Sequence, residues 1–149
     1  NLGNYMLINL DADFEETYHQ TNVNTVFVDA MYKYQGFSLM AEYASREADN
    51  PIARNSDGTP TENVVQVGNG LNVMSGYLLK NNFEVTGRYT SIKLNKNITG
   101  KDLERQYTLG LSKYFKGHKL KIQSDISYLT IENNPTGKLM YRLQFDVHF

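Results

Sequence analysis

The chain has 149 residues, the length of one domain, with 15 Lys and Arg against 16 Asp and Glu, 11 Tyr, 7 Phe, no Trp and no Cys. So even a charge balance supplies no basic field for a phosphodiester backbone, which excludes nucleic acid as a partner, and the missing cysteines exclude disulfides and thiolate metal sites. No apolar run approaches the roughly 18–20 residues of a membrane helix, so a membrane could be crossed only by strands.

Almost every segment between turn signals alternates with period two, which sends successive side chains to opposite faces of a strand. Near the start, "NYMLINLDADF" is the weakest case, with Met6, Ile8 and Leu10 on its apolar side. Residues 23–34 set Val26, Val28, Ala30, Tyr32 and Tyr34 against Phe27, Asp29, Met31 and Lys33. Gln35-Gly36 then makes a tight hairpin connection to 37–45, where Phe37, Leu39, Ala41 and Tyr43 oppose Ser38, Met40, Glu42 and Ala44.

The unit recurs downstream. In "VQVGNGLNVMSGYLL", Val67, Leu71, Val73 and Tyr77 alternate with Gly68, Gly70, Asn72 and Gly76; in "FEVTGRYTSIKL", Phe83, Val85, Gly87 and Tyr89 alternate with Glu84, Thr86, Arg88 and Thr90. Residues 104–115 give Tyr107, Leu109, Leu111 and Phe115 against Thr108, Gly110, Ser112 and Tyr114. A helical stripe through Leu103, Tyr107, Leu111 and Tyr114, with Asp102 as N-cap, is the rival there; Gly110 in the middle and Leu109 off the stripe favour a strand. "KLKIQSDISYLTIE" alternates Leu120, Ile122, Ser124, Ile126 and Tyr128 with Lys121, Gln123, Asp125 and Ser127. The terminal "MYRLQFDVHF" alternates Tyr141, Leu143, Phe145, Val147 and Phe149 with Arg142, Gln144, Asp146 and His148. Eight strands are predicted.

Their connections alternate between short ones (Gln35-Gly36, Lys80–Asn82, Lys116–His118) and longer polar ones near 15–21, 46–64, 95–102 and 133–137, the last set holding all three prolines, Pro51, Pro60 and Pro135. Tight turns at one end and long loops at the other predict an all-β, antiparallel, up-and-down meander of the kind found in transmembrane β-barrels. The aromatic positions agree. On the apolar face, Tyr32, Tyr34, Phe37, Tyr77, Phe83, Phe115 and Phe149 lie next to short turns, and Tyr43, Tyr89, Tyr107, Tyr128 and Tyr141 lie at the opposite ends, with aliphatic or small residues between. Such a girdled band is expected of a wall facing lipid, whereas a soluble β-sandwich mixes aromatics through its core. Lys113 points to the apolar side near a turn, where its long stem could carry the charge out to the headgroups.

"FVDAMYKYQGFSLMAEYASRE", "FEVTGRYTSIKL", "QYTLGLSKYFKGHKLKIQSDISYL" and "MYRLQFDVHF" together resemble the closing strands of the phosphate-selective porin O and P family. The resemblance covers residues 23–149 and rests on hairpin rhythm rather than on an invariant motif. It implies passive diffusion of small hydrophilic solutes or ions, anions such as phosphate among them, through the bacterial outer membrane. It further implies that residues 1–149 are a single segment, the C-terminal portion of a larger barrel of about sixteen strands. Its partners would be outer-membrane lipid and lipopolysaccharide, the barrel assembly machinery, and a homotrimer or membrane complex. The end of the chain, Tyr141, Phe145, Val147 and Phe149, resembles the signal that this machinery recognises. Eight strands can also close on themselves, so a complete small barrel is the alternative, as is a scaffold barrel that works within a larger membrane complex.

No nucleophile elbow, zincin motif or phosphate loop occurs, and neither enzymatic activity nor a cofactor is expected. His19, His118 and His148 fall in a loop, a turn and a strand end, and read as solvated surface. The acidic residues Asp11, Asp13, Glu15 and Glu16 read as loop surface rather than as a metal site. What chemistry there is lies on the inward face. Lys33, Arg88, Lys121 and Arg142 bring positive charge, and Asp29, Glu42, Glu84, Asp125 and Asp146 negative. A wall of both signs suits a water-filled lumen, yet it lacks the rows of Arg and Lys that an anion-selective pore would show. The same charges could instead pair across strands and only hold the wall together. Residues 46–64 are the expected constriction or contact element.

Overall fold

The computed structural model describes residues 2–10, 16–55, 57–115 and 120–147. In chain order the elements are β1 (Leu2–Leu10), β2 (Glu16–Tyr34), β3 (Phe37–Ala48), β4 (Ile52–Arg54), β5 (Pro60–Val64), β6 (Gly68–Leu78), β7 (Phe83–Leu94), the single-turn helix α1 (Lys96–Thr99), β8 (Glu104–Tyr114), β9 (Leu120–Ile131) and β10 (Asn134–Val147). The protein is all-β. Eight strands form one sheet in the order β1-β2-β3-β6-β7-β8-β9-β10, and β4 pairs with β5 in a second, two-stranded sheet. The pairings β1/β2, β7/β8, β8/β9 and β9/β10 are antiparallel. The order ends at β1 and β10, and no ladder joins these two among the described residues.

The segment with two readings, 104–115, is a strand, as Gly110 favours. At the predicted hairpin, Gln35 and Gly36 both take positive φ (44° and 85°), the conformation of a two-residue turn whose twist matches that of the strands it joins. A Cβ on Gly36 would lie 2.7 Å from the Leu78 carbonyl oxygen, so glycine is required there twice over.

Four connections differ from expectation. The polar stretch 15–21 is not a loop from Glu16 onward, because Glu16–Asn24 pair residue for residue with Leu2–Leu10 of β1, and a ladder of backbone bonds needs no apolar alternation. Residues 46–64 contain the β4–β5 hairpin. Residues 95–102 contain α1, capped by the Asn95 side chain, which accepts from Asn97 N (3.2 Å), and closed by Gly100 at φ 65°. Asp102, the N-cap of the rejected helix, instead pairs with Lys96 at 2.5 Å. The stretch 133–137 is mostly strand; the chain turns at Glu132-Asn133, with Asn133 at φ 62°, and an irregularity between Asn134 and Lys138 takes up Pro135, which cannot donate to the ladder. The turn expected at Lys116–His118 lies outside the described residues.

The chain divides into two compact units, Asn1–Phe27, Ala44–Gly70 and Lys93–Asp102 in one, Val28–Tyr43, Leu71–Ile92 and Leu103–Phe149 in the other. The first unit has the small core: Ala53, Val65 and Val67 are the buried apolar residues among those described, accompanied by buried Thr21 and Thr25. Segment 46–64 is fastened there by Asn50 N donating to Thr21 Oγ1 (2.9 Å), Arg46 Nε to Thr25 Oγ1 (3.2 Å) and Val65 N to the Pro51 carbonyl (2.7 Å). His19, expected in a loop, lies on β2 with Nε2 2.8 Å from the Asn50 carbonyl, which it meets as a donor. The second unit contains most of the alternating strand and nearly all of the predicted site residues.

Candidate functional site

In the second unit the registers of β7 to β9, and of β9 with β10 from Lys138 onward, run without interruption and sort the side chains into transverse rows. One face carries Phe83-Lys113-Ile122-Phe145, then Val85-Leu111-Ser124-Leu143, then Gly87-Leu109-Ile126-Tyr141, then Tyr89-Tyr107-Tyr128-Leu139. Three tyrosines of the predicted girdle therefore share one row, with the Tyr89 and Tyr107 ring centroids 5.3 Å apart, while Tyr141 is one row nearer the turns. Polar groups on this face are satisfied locally. Ser124 Oγ donates to the Tyr141 hydroxyl (3.1 Å), and Lys113 Nζ donates to the Asn81 carbonyl (2.7 Å) while lying 4.1 Å over the Phe83 ring. Lys113 thus reaches the turn.

The opposite face carries Glu84-Ser112-Gln123-Gln144, Thr86-Gly110-Asp125-Arg142 and Arg88-Thr108-Ser127-Met140. Burial is inverted relative to a soluble sheet. On β8, Leu109 is 60% and Leu111 49% exposed, while Ser112 is 3% exposed; on β9, Ser127 is 1% exposed beside exposed Ile126 and Tyr128. Water-driven packing would do the reverse, because each fully buried Leu contributes about 1.5–3 kcal/mol.

The predicted charged residues fall on this polar face with different degrees of partnership. Arg142 and Asp125 pair, Nε to Oδ2 at 3.1 Å, with the Asp125 side chain 11% exposed. Glu84 accepts from the Tyr114 hydroxyl at 2.5 Å, and Lys121 Nζ lies 5.1 Å over the Tyr114 ring. Glu42 accepts from Asn72 Nδ2 (2.7 Å), whose Oδ1 accepts from Thr90 (3.1 Å). Asp146 accepts from Gln144 (2.7 Å). Arg88 stands apart, its Nε buried without a hydrogen-bond partner. Lys33 and Asp29 are exposed. Of the predicted assembly residues, Tyr141, Phe145 and Val147 are exposed on the apolar face, and Phe149 lies outside the described residues.

Three contributors escaped the sequence reading: the Tyr114 hydroxyl, the Asn72 amide, and the Thr108–Ser127 hydroxyl pair (2.8 Å). Alternation puts all of them on the polar face, but only the register shows what they touch. Among the described residues no group of His, Asp or Glu is placed to hold a metal ion; of the acidic residues near the start, 11–15 lie outside them.

No family model, no curated protein and no solved structure matches this chain.

The Arg142–Asp125 pair carries a stability prediction. Arg142→Ala leaves a nearly buried carboxylate with one partner fewer and is expected to cost about 1.5–3 kcal/mol, and Asp125→Asn made on top of it should cost little more. Urea unfolding of the two single variants and the double variant measures this coupling; additive costs would show that the pair contributes nothing.

Proposed function

We propose that this chain forms part of the wall of a bacterial outer-membrane β-barrel of porin type, letting small hydrophilic solutes or ions diffuse passively, without catalysis or cofactor. The observation that carries the reading is the inverted burial on β8 and β9: leucine, isoleucine and tyrosine outward, serine, glycine and threonine inward. A surface of that extent is costly in water and favourable in hydrocarbon, where the antiparallel ladders satisfy the backbone. The tyrosine row Tyr89-Tyr107-Tyr128 and the row of Phe83 and Phe145 mark the two interfaces. On this reading the partners are outer-membrane lipid and lipopolysaccharide, the assembly machinery that takes up the aromatic C-terminal strand, and further strands or copies that meet β1 and β10. The hairpin rhythm supports the porin O and P family. Paired Arg142–Asp125 and bonded Glu84–Tyr114 favour, as a second reading, a scaffold barrel whose inward charges mainly hold the wall.

Since the chain has no Trp, one introduced Trp reports a single position. In vesicles of brominated phosphatidylcholine, Leu109→Trp is expected to be strongly quenched and Gln144→Trp, on the other face, to keep its fluorescence. Equal quenching at both positions would overturn the two-faced reading.

A further inference from the structure

We infer that the polar face has a binding recess, at its turn end, for a small zwitterion of the α-amino acid type. The recess measures about 530 Å³, within the range of small-molecule sites, and includes Lys33, Ser38, Leu78, Glu84 and Tyr114 in its lining. Its two charges differ in how they are held. Glu84 is a fixed anion: Oε2 accepts from the Tyr114 hydroxyl at 2.5 Å, and the backbone beneath is Gly76, where an added Cβ would come within 3.3 Å of Glu84 Oε1 and 2.9 Å of Ser38 Oγ. Glycine at 76 lets the carboxylate settle against the strand. Lys33 is exposed and makes no hydrogen bond or ion pair among the described residues, so its ammonium is free for a ligand. One held carboxylate and one free ammonium in the same recess sum to zero charge but form separate poles. A simple anion would meet Glu84 and a simple cation Lys33, whereas a molecule with both groups satisfies both at once. Leu78 lines the same recess and suits an aliphatic side chain.

The inference rests on the porin reading only in placing this face toward water, so its test avoids conductance. The full chain, folded in detergent micelles, is titrated with L-leucine, with 4-methylpentanoate (carboxylate only) and with 3-methylbutylamine (ammonium only), following the Leu78 methyl and Tyr114 ring signals by NMR. L-leucine is expected to give saturable shifts and to bind at least about tenfold more tightly than either analogue, since each analogue forfeits one charge-assisted contact. In Lys33→Met, leucine and the amine should bind alike; in Glu84→Gln, leucine and the carboxylate should bind alike. Lys33 is exposed and its replacement leaves Glu84–Tyr114 intact, so that variant stays interpretable should Glu84→Gln fold poorly. No saturable shift with L-leucine, an analogue that binds as tightly as leucine, or a selectivity unmoved by Lys33→Met would each overturn the site.

Discussion

Leu143→Arg is expected to abolish most assembly into membranes, at a cost of about 2–4 kcal/mol, while Gln144→Arg, one residue further on, is expected to cost little. Leu143 lies in the row Val85-Leu111-Ser124-Leu143, between the row of Phe83 and Phe145 and the tyrosine row, where hydrocarbon would be deepest. A guanidinium there starts one row further from the turn than Lys113, whose ammonium is relieved by the Asn81 carbonyl. Gln144 lies on the other face, where its side chain donates to Asp146 at 2.7 Å; an arginine in its place keeps that contact and adds an opposite charge. Folded yield in lipid vesicles, read by the mobility difference between folded and unfolded barrel on gels, measures both. Comparable yields would show that the two faces of β10 meet the same solvent.

The second large effect is on the lumen. Arg88→Glu is expected to move the reversal potential of channels in a planar bilayer toward cation selectivity while most of the conductance is retained. Arg88 is the suitable probe because its charge is not neutralised in place: Nε is buried without a partner, and its row continues through the Thr108 and Ser127 hydroxyls rather than through a carboxylate. An uncompensated charge on a pore wall sets the local ion concentration. Arg142 is a poor probe, since Arg142→Glu would place a carboxylate beside Asp125 and unfold the local wall before altering any current. Arg88→Met serves as control. In a water-filled lumen it should change selectivity in the same direction with little effect on stability; in a packed, scaffold-type interior, removing an unsatisfied guanidinium should stabilise the fold by about 1–3 kcal/mol with no current before or after. That last outcome would transfer the proposal from channel to scaffold.

The sequence by itself determined the strands and their two faces, because period-two alternation is a local property of the chain. Leu109, Leu111, Ile126, Leu143 and Phe145 could be placed on one side and Thr108, Ser112, Asp125 and Arg142 on the other without knowing any neighbour. Gln35-Gly36 was equally legible, since the backbone of two residues decides it. The tertiary structure alone decided everything that depends on register. Tyr89, Tyr107 and Tyr128 form a row only because β7, β8 and β9 pair without a slip, and Tyr141 misses that row by one pair. Glu84 and Tyr114 are 30 residues apart and Arg142 and Asp125 are 17, distances over which no local pattern carries information. Where alternation was weak, pairing still made strand: Glu16–Asn24 on β1, and β4 with β5 inside a stretch rich in Asn, Asp and Pro. Backbone ladders draw on groups that every residue but proline has in full, so composition marks where a strand has a buried or lipid-facing side, and only the partner strand fixes where it begins and ends.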